Sequence, residues 1–551
     1  MSNGTGAKII SFLVDISYTF IFVYSVQDIE WYLVSNPNYG VWRPMAENVE
    51  FNALESNSNA VMAVADTVRT TLGPKGLDKL LIDQAMNRHI SNDGVTILLS
   101  LRAIHPVARM IVEIAERQEQ LVGDGTTTAV VMAAEMIKEG KRLVKELGVH
   151  PTKVVEGIEG GVKEACQLLE IGAKRISLNE IALEQVVKTS LSSKLDGKKL
   201  SLLVTSALRS VEKNAIYNGS YNFDKTIMVL RRTNMEDRVI NGIVLERRRM
   251  DPEMPLEVKE ARVMIARLDL KPVKEAWVKE NSKYAEILNM ENDRVAKSKD
   301  LVNSLIATGA NVILIASSEV DQVIENLLVA NKVLAVRISI EEIEYLSRYT
   351  GATPVRMVDD LKKADILGKA DHIYEDEDNG VIYIANGSSG GMATMIVSGT
   401  TKETSLERWR AAIDGINAAE AALNKGVVVG GGAAELHVIE KVKNLRLKGL
   451  EQVGLDVVTS ALESIMRQIL TNAGFNGLEK VMAVKASPDT FGIDIDSGDP
   501  VDMWKMGVLD PLLVKTMALE AAGEIAKAVL RIDRNLAAED LSQQALSETK
   551  R

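Results

Sequence analysis

The chain has 551 residues, 46% of them apolar and 26% charged, so it is too long for one hydrophobic core and predicts roughly two to four domains. Its formal net charge of −11 argues against a nucleic-acid partner, because binding to a phosphate backbone depends on clustered Lys and Arg. Cys166 is the only cysteine, which excludes an intrachain disulfide and a cysteine-built zinc site and favours a reducing, cytoplasmic location.

Residues 1–44 form an N-terminal extension whose composition is atypical of the rest of the chain. Nine of the 23 aromatic residues lie before Met45, and residues 9–26 are nearly all apolar. Such a segment is just long enough to cross a bilayer, but Asp15 lies within it, and a carboxylate there costs about 2.5–3.5 kcal/mol. Two interpretations stay open. We favour upstream sequence fused by a start-codon choice, with Met45 as the natural beginning, over a membrane anchor.

Helical patterns dominate the next part of the chain. A helix predicted over 59–72 ends at Gly73 and Pro74, because glycine and proline stop a helix. A second helix begins at Pro106, since proline suits the first helical position, and apolar residues follow at helical spacing. A third begins at Thr126. This part of the chain is therefore predicted to be mainly helical.

The middle of the chain changes to short apolar runs separated by helix-like segments. These runs suit strands and cover residues 263–266, 311–315, 333–338 and 381–385. Helical patterns then return over residues 409–423, 449–473 and 511–532. The order predicts one domain built from both ends of the chain, with an α/β domain inserted between them.

Two common nucleotide-binding fingerprints, G-x-x-x-x-G-K-[ST] and a G-x-G-x-x-G that opens a helix after a strand, do not occur in the sequence. Three short glycine-containing segments are candidates to replace them. They are T-L-G-P-K-G at 71–76, N-D-G at 92–94 and G-D-G-T-T-T at 123–128.

The third segment is the most informative. It places two glycines and three hydroxyls at a helix N-terminus, where free N–H groups and the helix dipole favour phosphate. Asp124 would repel that phosphate unless a cation lay between them, so we expect Mg²⁺ to bridge Asp124 and phosphate oxygens. Asp93, also beside a glycine, could orient an attacking water. The alternative is that the Asp-Gly pairs only make turns and that Thr126 only caps a helix.

In their order and separation, T-L-G-P-K-G, N-D-G-V-T-I-L and G-D-G-T-T-T resemble the ATP site of the chaperonins. Residues 430–433 resemble the glycine-triplet loop of that family, 491–494 its adenine-side segment and 502–511 its C-terminal nucleotide motif. Two further features resemble group II chaperonins, the archaeal thermosome and eukaryotic cytosolic kind. Lys194 in T-S-L-S-S-K matches the lysine that senses the γ-phosphate, and a charged insertion occupies the place of the built-in lid.

The resemblance implies a multidomain α and α/β architecture. It comprises a mainly helical equatorial ATP-binding domain (45–173 and 425–551), a small intermediate hinge domain (174–237 and 389–424) and an inserted α/β apical domain (238–388). The apical domain binds substrate and carries a helical lid protrusion near 276–303.

The resemblance also implies roles for individual residues. It assigns magnesium to Asp124, water activation to Asp93 and Asp414, and γ-phosphate sensing to Lys194. The nucleotide-binding residues are then Thr71, Leu72, Gly73, Pro74, Gly125, Thr126, Thr127, Thr128, Gly431, Asp494 and Asp510. Asp414 lies in a poorer match, because the acidic residues usual before the neighbouring arginine are replaced by Leu406, Arg408 and Trp409. The alternative for Asp414 is an exposed helix carboxylate.

The function implied is that of an ATP-dependent molecular chaperone subunit, with ATP and Mg²⁺ as cofactors. It would assemble with like or homologous subunits into a double ring, hydrolyse ATP, and assist the folding of unfolded client proteins by closure of the built-in lid. We expect a cytoplasmic location, and neither nucleic acid nor a membrane as partner. Two alternatives are a hydrolysis-deficient structural or holdase subunit and a membrane-tethered protein anchored by residues 9–26. A small-molecule kinase or ligase would need a second substrate pocket, for which the sequence offers no convergent acid and base residues.

Overall fold

The structure is a computed structural model that describes residues 53–535, apart from 83–85, 87, 102, 234, 269, 271–283, 318 and 364. The predictions for the N-terminal extension and for the first part of the lid segment, 276–283, therefore lie outside the described residues. In the part of the chain that is described, no helix is long and apolar enough to cross a membrane.

The described residues form helices and strands that we number in chain order. The helices are α1 (Ala53–Val68), α2 (Gly94–Ser100), α3 (Pro106–Val122), α4 (Thr126–Lys145), α5 (Pro151–Gly172), α6 (Ile181–Ser190), α7 (Gly197–Ser210), α8 (Tyr284–Ala307), α9 (Gln322–Ala330), α10 (Glu342–Thr350), α11 (Lys402–Lys425), α12 (Ala433–Lys443), α13 (Gly454–Asn472), α14 (Gly477–Lys485), α15 (Met503–Met506) and α16 (Leu512–Leu530). The strands are β1 (Lys79–Ile82), β2 (Arg88–Ser91), β3 (Ile216–Tyr217), β4 (Ser220–Tyr221), β5 (Ile227–Thr233), β6 (Arg238–Leu245), β7 (Glu257–Ala266), β8 (Val312–Ile315), β9 (Leu334–Arg337), β10 (Gly368–Asp376), β11 (Val381–Gly387), β12 (Ala393–Gly399), β13 (Val427–Val429), β14 (Phe491–Ile493), β15 (Pro500–Asp502) and β16 (Leu509–Pro511).

Helices from both ends of the chain share one apolar core. Helix α4 runs through its centre and packs against α1, α13 and α16, because its Ala, Val and Met residues are buried on nearly all sides. Helices α5 and α13 cross so closely that a Cβ at Gly157 would lie 2.6 Å from the Cα atom of Gly454, the first residue of α13. Residues from both ends of the described chain thus contribute to one helical core.

The middle of the chain forms a mixed eight-stranded sheet in the order β5-β12-β6-β11-β10-β7-β8-β9. Strands β7, β8 and β9 run parallel, as do β5 and β12, and the other neighbours are antiparallel. Apolar clusters cover both sides of the β7-β8-β9 end. The four predicted strands are present as β7, β8, β9 and β11.

Helix α8 begins in the predicted lid segment and ends beyond it. Its last two turns bury Val302 and Leu305 in the apolar cluster that also holds Ile313 and Ile315 of β8. This end of the helix is therefore anchored on the sheet.

A further apolar cluster joins α6, α7 and α11 to strands β5 and β12. The chain passes between this cluster and the helical core at two neighbouring points, where Lys174 and Val427 exchange both backbone hydrogen bonds at 2.8 Å. The crossing brings the end of α6 and the middle of α11 beside the start of α4. The fold is thus multidomain, with α and α/β parts.

Candidate functional site

A cavity of about 430 Å³ lies where the α3–α4 junction, the end of α6 and the start of α16 meet. All three glycine-containing segments singled out in the sequence line it. Of the predicted site residues, the lining includes Thr71, Leu72, Gly73, Pro74, Asp93, Asp124, Gly125, Thr126, Thr127, Thr128, Lys194, Asp414, Gly431 and Asp510. Residues from seven separate parts of the chain are therefore brought together.

The glycines at the start of α4 allow the backbone to approach closely. Gly125, the residue that precedes α4, has φ +80°, and a Cβ there would also lie 2.6 Å from Val514 Cγ1. A Cβ at Gly94 would lie 2.4 Å from Thr127 Oγ1. Because glycine brings no capping side chain, the first N–H groups of α4 stay available beside the threonine hydroxyls. This end of the cavity has the groups that bind phosphate.

Asp124 lies at that helix N-terminus and is held from two sides. Its Oδ1 accepts a hydrogen bond from Gly125 N–H at 2.6 Å, and its Oδ2 accepts one from the Ser190 hydroxyl at 3.1 Å. Burial raises the pKa of Asp124, and the Gly125 N–H partly opposes that rise.

The donor set around Asp124 fits Mg²⁺, which prefers oxygen ligands and usually takes one or two carboxylates with substrate phosphates and water. Among the described residues no group of three or more His, Cys, Asp and Glu side chains is arranged to hold a metal ion by itself. A magnesium site here would therefore need the phosphate oxygens of a nucleotide as further ligands.

Asp414 and Lys194 form a nearly buried ion pair in the cavity wall. Lys194 Nζ lies 3.0 Å from Asp414 Oδ2, and the two side chains are only 11% and 12% exposed. Burial raises the pKa of Asp414 to about 7, although the Lys194 ammonium opposes the shift. Burial disfavours the charged form of Lys194, but Asp414 and Asp93 together outweigh that and raise its pKa. The alternative of an exposed helix carboxylate at Asp414 is wrong.

Asp93 lies in the cavity wall and also caps α2. Its Oδ2 accepts hydrogen bonds from the backbone N–H of Thr96 at 2.9 Å and from the Thr96 hydroxyl at 2.7 Å. These two bonds fix the orientation of a carboxylate that also lines the cavity. Thr126, in contrast, is the first residue of α4 and not its cap, because Gly125 holds the capping position.

Part of the cavity lining is apolar and suits a flat ring system. This part includes Ile465, Met466, Ile469, Leu470, Ile493, Ile495, Met503 and Met506. Asp510 also lines the cavity, and its Oδ2 lies 2.7 Å from Lys515 Nζ.

Asp494, predicted as a nucleotide contact, is not in the lining, although Ile493, Ile495 and Asp496 are. Its Oδ1 accepts a hydrogen bond from Asp496 N–H at 3.0 Å, within the turn that joins β14 and β15. The carboxylate of Asp494 thus stabilises the turn, while its neighbours line the cavity.

Glu119, Ser190 and Lys515 line the cavity but were not among the predicted site residues. Lys515 carries a recognisable signal, because it is a single lysine among the apolar residues that begin α16. Glu119 carries none, since it resembles the other acidic residues of α3. Ser190, the last residue of α6, is one of the three serines in T-S-L-S-S-K, and nothing in that motif distinguishes it from the other two. Only the folded chain brings them to Asp124 and Asp414.

Glu119 is partly buried in the cavity wall. Burial raises its pKa to about 8, and the negative charges of Asp414, Asp93 and Asp124 contribute to the rise. Between pH 4.5 and about 8 the folded chain therefore keeps a proton that the unfolded chain has released, so stability falls as pH rises through this window.

We expect Glu119→Gln, which cannot ionise, to remove this loss of stability. Melting temperatures measured without nucleotide or metal should match wild type near pH 4.5 and exceed it by a few degrees near pH 9. Glu113→Gln, at an exposed position on the same helix, is the control and should keep the wild-type pH profile. A constant offset between Glu119→Gln and wild type at all pH values would contradict the prediction.

Comparison with known proteins gives one consistent result. The sequence matches the TCP-1/cpn60 chaperonin family over residues 64–540. A thermosome subunit of Methanopyrus kandleri is 34% identical over 518 residues, which cover 89% of this chain and 93% of the relative. One from Methanocaldococcus jannaschii is 32% identical with the same coverage. Among solved structures, the crystal structure of a group III chaperonin in the open state aligns with a TM-score of 0.76 and 28% identity, covering 88% of this chain and 99% of the other.

Proposed function

Because this chain belongs to the TCP-1/cpn60 chaperonin family, we propose that it is an ATP-driven subunit of a cytoplasmic protein-folding machine. It binds ATP with Mg²⁺ in the cavity, hydrolyses the nucleotide, and assembles with like or homologous subunits into a double ring. Closure of a lid near residues 276–303 then encloses unfolded client proteins. The observation that carries the proposal is the meeting in one cavity of all the predicted site residues except Asp494.

The proposed site divides the work among its residues. Thr71–Pro74 and the start of α4 hold the phosphates, Asp124 holds the metal, and Gly431 and Asp510 face the nucleoside. The Mg²⁺ ion would neutralise charge on the phosphates. Asp93 and Asp414 orient the attacking water, and Lys194 lies against Asp414 where it could reach the terminal phosphate.

The domain assignment is part of the same proposal. The equatorial domain comprises 45–173 and 425–551, the intermediate domain 174–237 and 389–424, and the apical domain 238–388. On this assignment Lys194 and Asp414 belong to the intermediate domain, whereas Asp93 and Asp124 belong to the equatorial domain. Nucleotide between these pairs would then favour one arrangement of the two domains over others, which is how a ligand shifts a conformational equilibrium.

The test of this function is an ATP-dependent refolding assay on the assembled full chain. A chemically denatured client protein should regain activity with ATP and Mg²⁺ and should remain captured with ADP or without nucleotide. Release of phosphate is measured in parallel, and electron microscopy checks for double rings. A protein that prevents aggregation of the client but releases no phosphate would instead support the holdase alternative.

Asp93→Ala and Asp414→Ala should retain ATP binding but slow hydrolysis by about 100-fold or more, because each removes a group that orients the attacking water. Calorimetry measures binding, and phosphate release measures turnover. Since Asp414→Ala leaves Lys194 without its ion-pair partner, Asp414→Asn is a second variant that keeps the volume of the side chain. Asp359→Ala, an exposed carboxylate in the α/β part, is the control. Wild-type turnover by both Asp414 variants would remove Asp414 from the proposed mechanism.

A further inference from the structure

The end of α6 reaches into the cavity and contacts the helical core at two points. The Ser190 hydroxyl donates to Asp124 Oδ2 at 3.1 Å, and Asn92 Nδ2 donates to the carbonyl oxygen of Ser193 at 2.6 Å. Lys194, which follows directly, forms the ion pair with Asp414. A segment of five residues, 190–194, therefore connects Asp124, the proposed metal ligand, to Asp414, one of the two carboxylates proposed to orient the attacking water. We call it the α6 segment.

The two hydrogen bonds to Asp124 come from donors at very different distances along the chain. The bond from Gly125 N–H comes from the next residue in the chain, so it would be kept with almost any side chain nearby. The bond from Ser190 comes from a residue 66 positions away. Each carboxylate oxygen has two lone pairs, so Oδ2 can accept from Ser190 and still offer a lone pair to a cation.

The neighbouring hydroxyl cannot take this role in the same arrangement. Thr189 Oγ1 donates to the carbonyl oxygen of Gln185 at 2.8 Å and accepts from Leu509 N–H at 3.3 Å. Thr189 is thus engaged with its own helix and with β16, whereas the hydroxyl of Ser190 is directed at Asp124.

We propose that Ser190 is a positioning residue that orients Asp124 for metal binding and links the metal site to the α6 segment. This inference rests on the proposed function, since it concerns the same nucleotide site. The hydroxyl restricts rotation of the Asp124 carboxylate, so less orientational freedom is lost when the metal binds. Removing a group that hydrogen-bonds to a metal ligand typically weakens metal binding by about 10- to 100-fold.

The test measures metal binding directly on the assembled full chain. Mn²⁺ is titrated in the presence of saturating ADP, and free Mn²⁺ is measured by electron paramagnetic resonance. We expect Ser190→Ala to raise the half-saturating Mn²⁺ concentration about tenfold, while ADP affinity at saturating metal stays near the wild-type value. Ser190→Thr, which keeps a hydroxyl, should restore most of the metal affinity.

Ser210→Ala is the matched control, because that hydroxyl donates to the carbonyl oxygen of Ala207 within α7, outside the cavity. It should bind Mn²⁺ like wild type. Equal Mn²⁺ affinity in Ser190→Ala and wild type would overturn the inference and leave the proposed function standing. An equal loss of ADP affinity with and without metal would also overturn it, since Ser190 would then act on the nucleotide. A wild-type protein that binds no nucleotide with metal would overturn both.

Discussion

Asp124→Ala is expected to abolish magnesium-dependent ATP binding and to lower ATP turnover by about 100-fold or more. The carboxylate lies between the free N-terminus of α4 and the hydroxyl of Ser190, where it repels phosphate unless a cation intervenes. Without it the helix N-terminus can still attract phosphate, but nothing holds the metal against the nucleotide. Calorimetric titration of ATP with Mg²⁺ and with a chelator separates the two contributions.

In wild type the chelator should weaken ATP binding strongly, whereas in Asp124→Ala the two titrations should coincide. Asp66→Ala removes a carboxylate that is 62% exposed on α1 and pairs with Arg69, so it is a control for loss of charge alone. Wild-type magnesium dependence in Asp124→Ala would place the metal on another group of the cavity.

The helices were predicted better than the sheet because their signals are local. Pro106 at the start of α3 and the stop near Gly73 depend only on neighbouring residues. Strands β7, β8 and β9 were also predicted, since strands buried on both faces appear as short apolar runs. Strands β5, β6, β10 and β12 were not predicted. Polar residues alternate in β10, whose burial depends on strands β7 and β11 on either side of it.

The residues of the site also divide into those marked by a local sequence signal and those brought together only by the fold. Its glycine-containing segments could be singled out because glycine, aspartate and threonine stand next to one another in the sequence. Glu119, Ser190 and Lys515 come from separate helices, and no local pattern marks them as neighbours. Asp494 differs from the other predicted site residues, since its carboxylate accepts a hydrogen bond within its own turn and does not line the cavity.

The poorer match before Asp414 also has a physical explanation in the fold. Arg408 is buried and forms an ion pair with Asp237 at 2.5 Å, while Trp409 Nε1 donates to the carbonyl oxygen of Val229 at 2.9 Å. Both side chains therefore bond α11 to residues in or next to the eight-stranded sheet. The replacements leave Asp414 on the cavity side, paired with Lys194, so they do not by themselves support a loss of hydrolysis.

The group of Lys515, Glu435 and Asp510 is the second place where one substitution should have a large effect. Lys515 Nζ lies 2.7 Å from a carboxylate oxygen of Glu435 and 2.7 Å from one of Asp510. Lys515 and Glu435 are buried. Burial disfavours the charged form of Lys515, but the two carboxylates outweigh that and raise its pKa, so the cation persists at all physiological pH values.

We therefore expect Lys515→Met to lower the stability of the helical core by about 3–5 kcal/mol, because it keeps the volume of the side chain but leaves buried carboxylates without a cation. The midpoint of urea unfolding, followed by the helical circular dichroism signal, measures the change. Lys527→Met on the same helix breaks only an i,i+3 pair with a largely exposed Glu524 and should cost less than about 1 kcal/mol. Adding Glu435→Gln to Lys515→Met should recover part of the loss, since one of the unpaired charges is then removed. If the double variant is no more stable than Lys515→Met, the loss comes from packing and not from the unpaired carboxylates.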